Sequence, residues 1–201
     1  MKNRTWLICP ICDRKTRSQI REDTVLISQS LEKENGMDKK SSYLAITAIS
    51  GALMEQQVTD KILACNQDTA VYGLVLTGQQ AVALAHTRTG ALKDTKRIEF
   101  NSGIIDKLIM AFCNSPYITN ENYEDTLHEL IEMFYDFKND TWDVVSDDEL
   151  ISFMKRAFNG YCHGSLELLS VEALSQLSRH IHSGHSFGTF KYHSEDQHER
   201  T

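Results

Sequence analysis

Apolar residues recur at helical spacing along most of this chain. Leu44, Ile46, Ile49, Leu53 and Met54, continued by Val58, Ile62 and Leu63, gather on one side of a helix. Ser41 or Ser42 supplies its cap, and Gly51 weakens its middle by about 1 kcal/mol relative to alanine. A break is expected near Gln56-Gln57, and Asn66 is the expected end. Val71 to Leu76 is short, apolar and β-branched at two positions, so it reads as a strand or an extended connector. Arg97 to Phe100 reads as a second short strand, giving a minor two-stranded element of 71–76 with 97–100. Between them, Thr77 and Gln80 stand at the spacing of a capping box, where a threonine and a glutamine three residues later satisfy each other's backbone. They start a helix over 78–92, with Ala81, Val82, Leu84 and Ala85 inward and His86 and Arg88 as ordinary helix residues.

The stretch from Ile98 to Gly160 is the expected hydrophobic heart. Ile104, Ile105, Leu108, Ile109 and Phe112 form one inward stripe. That helix stops before Ser115-Pro116, because the residue preceding proline avoids the α region. Thr119 or Asn120 caps the next helix. Glu121 and Glu124 suit its first turn, and Tyr123, Leu127, Leu130, Ile131, Phe134 and Phe137 line its buried side. Ser146-Asp147-Asp148-Glu149 is a second capping box, followed by Leu150, Ile151, Met154, Ala157 and Phe158 and a stop at Asn159-Gly160. Ser165 or Ser170 begins the last helix, with Leu166, Leu169, Ala173, Leu174, Leu177 and Ile181 inward. Beyond His182 the chain loses periodicity. The pattern predicts a mainly α fold: a compact bundle of five or six helices over 41–182, with a disordered, histidine-rich tail at 183–201.

Composition narrows the functional classes. The 201 residues are 41% hydrophobic with only two prolines, enough for one helical core. No run of about 18 apolar residues predicts a spanning helix, and the N-terminus lacks the apolar core of a signal peptide, so the cytoplasm is expected. Residues 1–36 carry seven Lys/Arg against five Asp/Glu, while the remainder carries 14 against 23. An acidic main body disfavours general nucleic-acid binding, which needs a basic surface to meet phosphates. A basic arm of Arg14, Lys15, Arg17 and Arg21 is the exception. Five cysteines, an odd number at irregular spacing, argue against a disulfide framework. Cys65 and Cys113 fall on apolar faces as small hydrophobes.

Cys9-Pro10-Ile11-Cys12 is a CxxC knuckle, half of a tetrahedral zinc site. Cys9, Cys12, Lys15, Thr16 and Arg17, continuing through Ile20 to Leu26, resemble the first half of the cysteine-rich KTR proteins of bacterial mobile elements, which look like zinc ribbons. Where that pattern places a second cysteine pair, this chain reads Ile27-Ser28-Gln29-Ser30. No cofactor is expected, and zinc enters first at the Cys9/Cys12 half-site. Residues 1–26 read as a degenerate zinc-ribbon-like fragment and 27–40 as a linker. Met37 reads as a second beginning, as though a truncated upstream frame, or a misassigned start, preceded the helical protein. From Met37 to Leu177 the chain resembles an uncharacterised family of small bacterial helical proteins. The resemblance rests on Cys65-Asn66, Tyr72-Gly73-Leu74, Leu76-Thr77, Arg97 to Phe100, Lys107 to Ile109, Ser115 to Ile118, Phe137 to Asn139, Asp147 to Ile151 and Gly164 to Glu167. It implies no activity.

Three constellations carry candidate chemistry. His180, His182 and His185 suit a soft divalent metal, alone or with Cys9 and Cys12. On a continued helix 182 and 185 share a side and 180 does not. Cys162 and His163 are adjacent, yet a nucleophile and its base are assembled in space rather than by neighbourhood. Asp143, Asp147, Asp148 and Glu149 are a candidate Mg²⁺ or Ca²⁺ cluster, although a helix N-terminus explains them equally. No P-loop, GxGxxG, HExxH or GxSxG occurs. The leading expectation is a non-enzymatic interaction or scaffold domain for a protein partner, with no catalytic residue assigned. The alternatives are a metal- or cysteine-dependent enzyme and a nucleic-acid accessory protein acting through the basic arm.

Overall fold

The computed structural model describes residues 5–8, 15–18, 39–99 and 103–191, with side chains from Met54 onward. The chain divides into two compact units, Met1–Gly51 and Ala52–Thr201. In the first, β1 (Thr5–Ile8) pairs antiparallel with β2 (Lys15–Ser18), with Trp6 opposite Arg17 and Ile8 opposite Lys15. Cys9, Cys12 and Arg14, between these strands, and Arg21, after them, lie outside the described residues.

The other described residues are mainly helical, as the periodicity predicts. α1 runs Lys39–Thr69, so neither Gln56-Gln57 nor Asn66 interrupts it. Gln56 bonds Asp60 one turn on, and Asn66 is occupied elsewhere. A 3-10 turn at Ala70–Tyr72 leads to α2 (Gly78–Asp94), then α3 (Ile105–Phe112), α4 (Tyr123–Asp140) and α5 (Asp147–Asn159). A last run begins with α6 (Leu166–Leu168), passes through a π-helical segment at Leu169–Leu174 and ends with α7 (Ser175–His182). Ser165, one of the two expected caps, accepts from Leu168 N–H at 3.2 Å. Both expected capping boxes form. Thr77 accepts from Gln80 N–H while Gln80 returns to Thr77 N–H, and Ser146 and Glu149 do the same. At α4 the expected caps are not used: Asn122 precedes the helix and closes back onto Thr119 N–H and the Tyr117 carbonyl.

The expected two-stranded element is absent. Residues 74–77 and 97–99 are irregular, and among the described residues only β1 and β2 pair. Side chains of α1 do what a neighbouring strand would have done. Asn66 Oδ1 accepts from Leu76 N–H at 2.9 Å, its Nδ2 donates to Leu76 C=O at 2.8 Å, and Thr69 Oγ1 donates to Leu74 C=O at 2.8 Å. With those groups satisfied, Leu74 and Leu76 bury their side chains without a ladder.

α4 is the centre of the helical unit, packed on α2 and α3, while α5 lies against α3 and the π segment. Phe112, Tyr123, Phe134, Tyr135 and Phe158 are fully buried, with Phe112 and Phe158 edge to face at 5.6 Å. Removing one such ring from a core this closed costs about 3–5 kcal/mol. One polar network sits inside. Tyr135 O–H donates to Glu99 Oε2 at 2.6 Å, and the buried Arg88 donates to the same oxygen at 3.2 Å. Burial and that carboxylate both push the Tyr135 hydroxyl pKa upward. Gly103, at φ +59°, leaves room for the network: an added Cβ would lie 1.9 Å from Glu99 Oε2. Two aromatics from the stretch expected to be a tail, Phe187 and Phe190, pack edge-on against Phe153 at 6.3 and 5.7 Å.

Candidate functional site

α4 ends on a residue its geometry does not favour. Asp143 N–H donates to Lys138 C=O at 3.1 Å and Trp142 N–H to Asn139 C=O at 3.4 Å. This pair of bonds closes a helix whose first residue past the cap is left-handed, a place usually held by glycine because a Cβ strains it. Trp142 holds it here at φ +50°, and Asp143 follows at φ +62°. Two successive non-glycine residues in this region cost on the order of 1–3 kcal/mol each. The turn places Trp142 outward, 75% exposed, with Val144 58% exposed beside it. The indole leans on the His182 ring at 5.1 Å, and His182 Nε2 donates to the Asp140 carbonyl at 3.0 Å.

A buried cation holds this turn from beneath. Lys138 is only 5% exposed. Its ammonium donates to Val145 C=O at 2.6 Å and pairs with Asp147 at 2.8 Å and Asp143 at 3.3 Å. Arg97 bonds the same Asp143 oxygen. Burial alone would raise the Asp143 carboxyl; the hydrogen bonds and charges of Arg97 and Lys138 outweigh it and hold the pKa below the ordinary carboxylate range. Thr141, fully buried, adds a hydroxyl bond to Phe137 C=O at 2.8 Å. The strained turn is thus fixed by the side chains of Lys138, Arg97, Asp143, Asp147 and Thr141, and the tryptophan it carries remains in solvent. Sequence reasoning passed over Trp142, whose signal was a bulky aromatic in a polar inter-helix turn.

The model of a family of unknown function, DUF6323, matches residues 61–187, more than half of the chain and all of the turn just described. The chain belongs to the DUF6323 family. A second family model, that of the cysteine-rich KTR proteins, matches residues 4–31. No curated protein and no solved structure matches the chain.

The other candidates in this DUF6323 chain lie apart from one another. The acidic cluster is spent within the protein: Asp143 and Asp147 on Lys138, Asp148 on Lys107 at 2.7 Å, and Glu149 in its capping box. Cys162 is 1% exposed, and burial pushes its thiol up to about 11. His163 points to Tyr117, its Nδ1 3.3 Å from the hydroxyl. The pair therefore lacks the nucleophile–base contact that thiol catalysis needs. Burial also raises the thiols of Cys65 and Cys113.

The three histidines divide differently from the helical expectation. α7 stops at His182 and the chain reverses at Gly184, so His180 stacks on His185 at 4.7 Å while His182 faces Trp142. Among the described residues no three metal-ligating side chains converge. Cys9 and Cys12 lie outside them, and a zinc ion there would need two further ligands.

One constellation escaped sequence reasoning. Thr87 Oγ1 lies 2.6 Å from His128 Nδ1, and His128 Nε2 lies 3.8 Å from Glu124. The order hydroxyl, imidazole, carboxylate is that of an activated nucleophile. Gln80 holds Glu124 at 2.8 Å. Yet Thr87 and His128 bridge two packed helices, α2 and α4, and none of these residues lines the cleft found at the end of α7. The contact ties the two helices together.

Proposed function

We propose that this DUF6323 protein is a non-enzymatic interaction domain that docks a protein partner on the Trp142 turn. The observation that supports this most is an exposed tryptophan in a left-handed position where glycine would cost less. Strain of that kind is retained where a side chain is needed in a fixed place. Tryptophan is also the residue that most often dominates a protein interface, because one rigid ring fills a pocket at low entropic cost. Val144 extends the apolar surface, and Ile98, next to Arg97, is half-exposed. Asp136 and Asp140 are exposed on the last two turns of α4. The fitting partner presents an apolar pocket rimmed by basic residues. The same reading sets the protein in the bacterial cytoplasm, and no described helix is long and apolar enough to cross a membrane.

The test is a photo-crosslinking residue at position 144 of the full chain, irradiated in the native cell. The expected result is one discrete protein adduct that disappears in Trp142→Ala. An adduct indifferent to Trp142, or none at all, contradicts the reading.

A further inference from the structure

An open cleft of about 500 Å³ lies at the end of α7, within the range that small-ligand sites occupy. Arg179, His180, His185 and Lys191 line it together with Gln176 and Phe190. The lining has two permanent cations, two imidazoles and no carboxylate, in a chain whose net charge is −7. Cations at a helix C-terminus often do no more than offset its carbonyls. Here the carbonyls of Arg179, His180 and Ile181 are already met. Ser183 N–H and Oγ–H donate to Arg179 C=O, Gly184 N–H to Ile181 C=O and His185 N–H to His180 C=O.

Arg179 Nε donates to Ser175 C=O at 3.2 Å, which fixes the guanidinium while no described carboxylate pairs with it. His180 Nε2 donates to Ser186 C=O at 3.2 Å and Thr189 Oγ1 at 3.0 Å, leaving Nδ1 as the second nitrogen of the ring. His185 stacks on that ring at 4.7 Å and Phe190 meets it edge-on at 5.3 Å. We infer that this cleft is a phosphate-binding site, in which Arg179 and Lys191 hold the anion beside the stacked imidazoles. Guanidinium forks match phosphate oxygens in pairs, and lysine adds a point charge. The site is separate from the Trp142 turn, so either reading can fail alone.

The experiment is titration of the full chain with inorganic phosphate, a nucleoside monophosphate and the unphosphorylated nucleoside, followed by calorimetry and by the side-chain resonances of Arg179 and His185. Saturable binding of phosphate and the monophosphate, with none of the nucleoside, is expected. Arg179→Gln and Lys191→Gln should each weaken it about tenfold at an unchanged melting temperature. Equal affinity for the two phosphates identifies free phosphate as the ligand. Tighter binding of the monophosphate identifies an ester whose ring lies on the imidazole platform. No saturation by about 10 mM of either, or binding that both variants leave intact, overturns the inference.

Discussion

Four helix ends among the described residues close with the same two hydrogen bonds; α2 does so at Lys96, φ +56°, and the other three carry glycine or tryptophan. At Gly73 and Gly184 the left-handed position, φ +75° and +83°, is held by glycine with open space where a Cβ would sit. At Trp142 the same position is held by a large aromatic. The two glycine ends are built for stability alone, with nothing spent on the residue in the turn. The Trp142 end carries strain and surrounds it with Lys138, Arg97, Asp143 and Asp147 so that the turn does not relax. The difference shows that a helix stop is a backbone device. What stands on it is free to serve another purpose.

The strongest way to break the comparison is to remove the clamp. Lys138→Ala leaves Asp147 and the Val145 carbonyl without their cation and Asp143 with Arg97 alone. Both carboxylates are about half-exposed and rehydrate in part, so the loss is about 2–3 kcal/mol rather than that of a sealed ion pair. Urea denaturation measures it, and a loss under about 0.5 kcal/mol would mean that the turn holds itself.

A smaller change makes the glycine ends resemble the tryptophan one. Gly184→Ala and Gly73→Ala meet no atom within 4 Å, so only backbone strain is added. Each should cost about 1 kcal/mol in the same assay.

The smallest effect is acidification. The folded pKa of Asp143 is lowered, so its contribution is complete above the unfolded carboxylate value near about 4 and disappears as pH falls through the lower folded value. In a Trp6→Phe variant Trp142 is the sole tryptophan, since the chain has two. Its emission should shift on titration below about pH 4. The shift should be absent in Asp143→Asn.

Much of the helical frame was legible because its signals are local. Thr77 with Gln80 and Ser146 with Glu149 bond within one turn, so spacing alone predicts them. The misreadings come from contacts across the sequence. A strand at 71–76 fails because Asn66 and Thr69 reach over from α1 to satisfy its backbone, which no periodicity announces. Arg88 reads as an ordinary helix residue, and its full burial depends on Glu99, eleven positions on. The π-helical segment at Leu169–Leu174 preserves the expected apolar side of Leu169, Ala173 and Leu174 and so leaves no trace in the pattern. The candidate site was the least legible. A tryptophan between helices carries no periodic signal, and only the backbone shows its ring turned to solvent.

The most direct test is the stability of Trp142→Gly. Strain relief should exceed the loss of the exposed contact with His182, so the variant should gain about 0.5–1 kcal/mol against urea while the crosslinked adduct at position 144 is lost. A variant less stable than the parent would contradict the account, because the indole would then be holding the turn together rather than being held out by it.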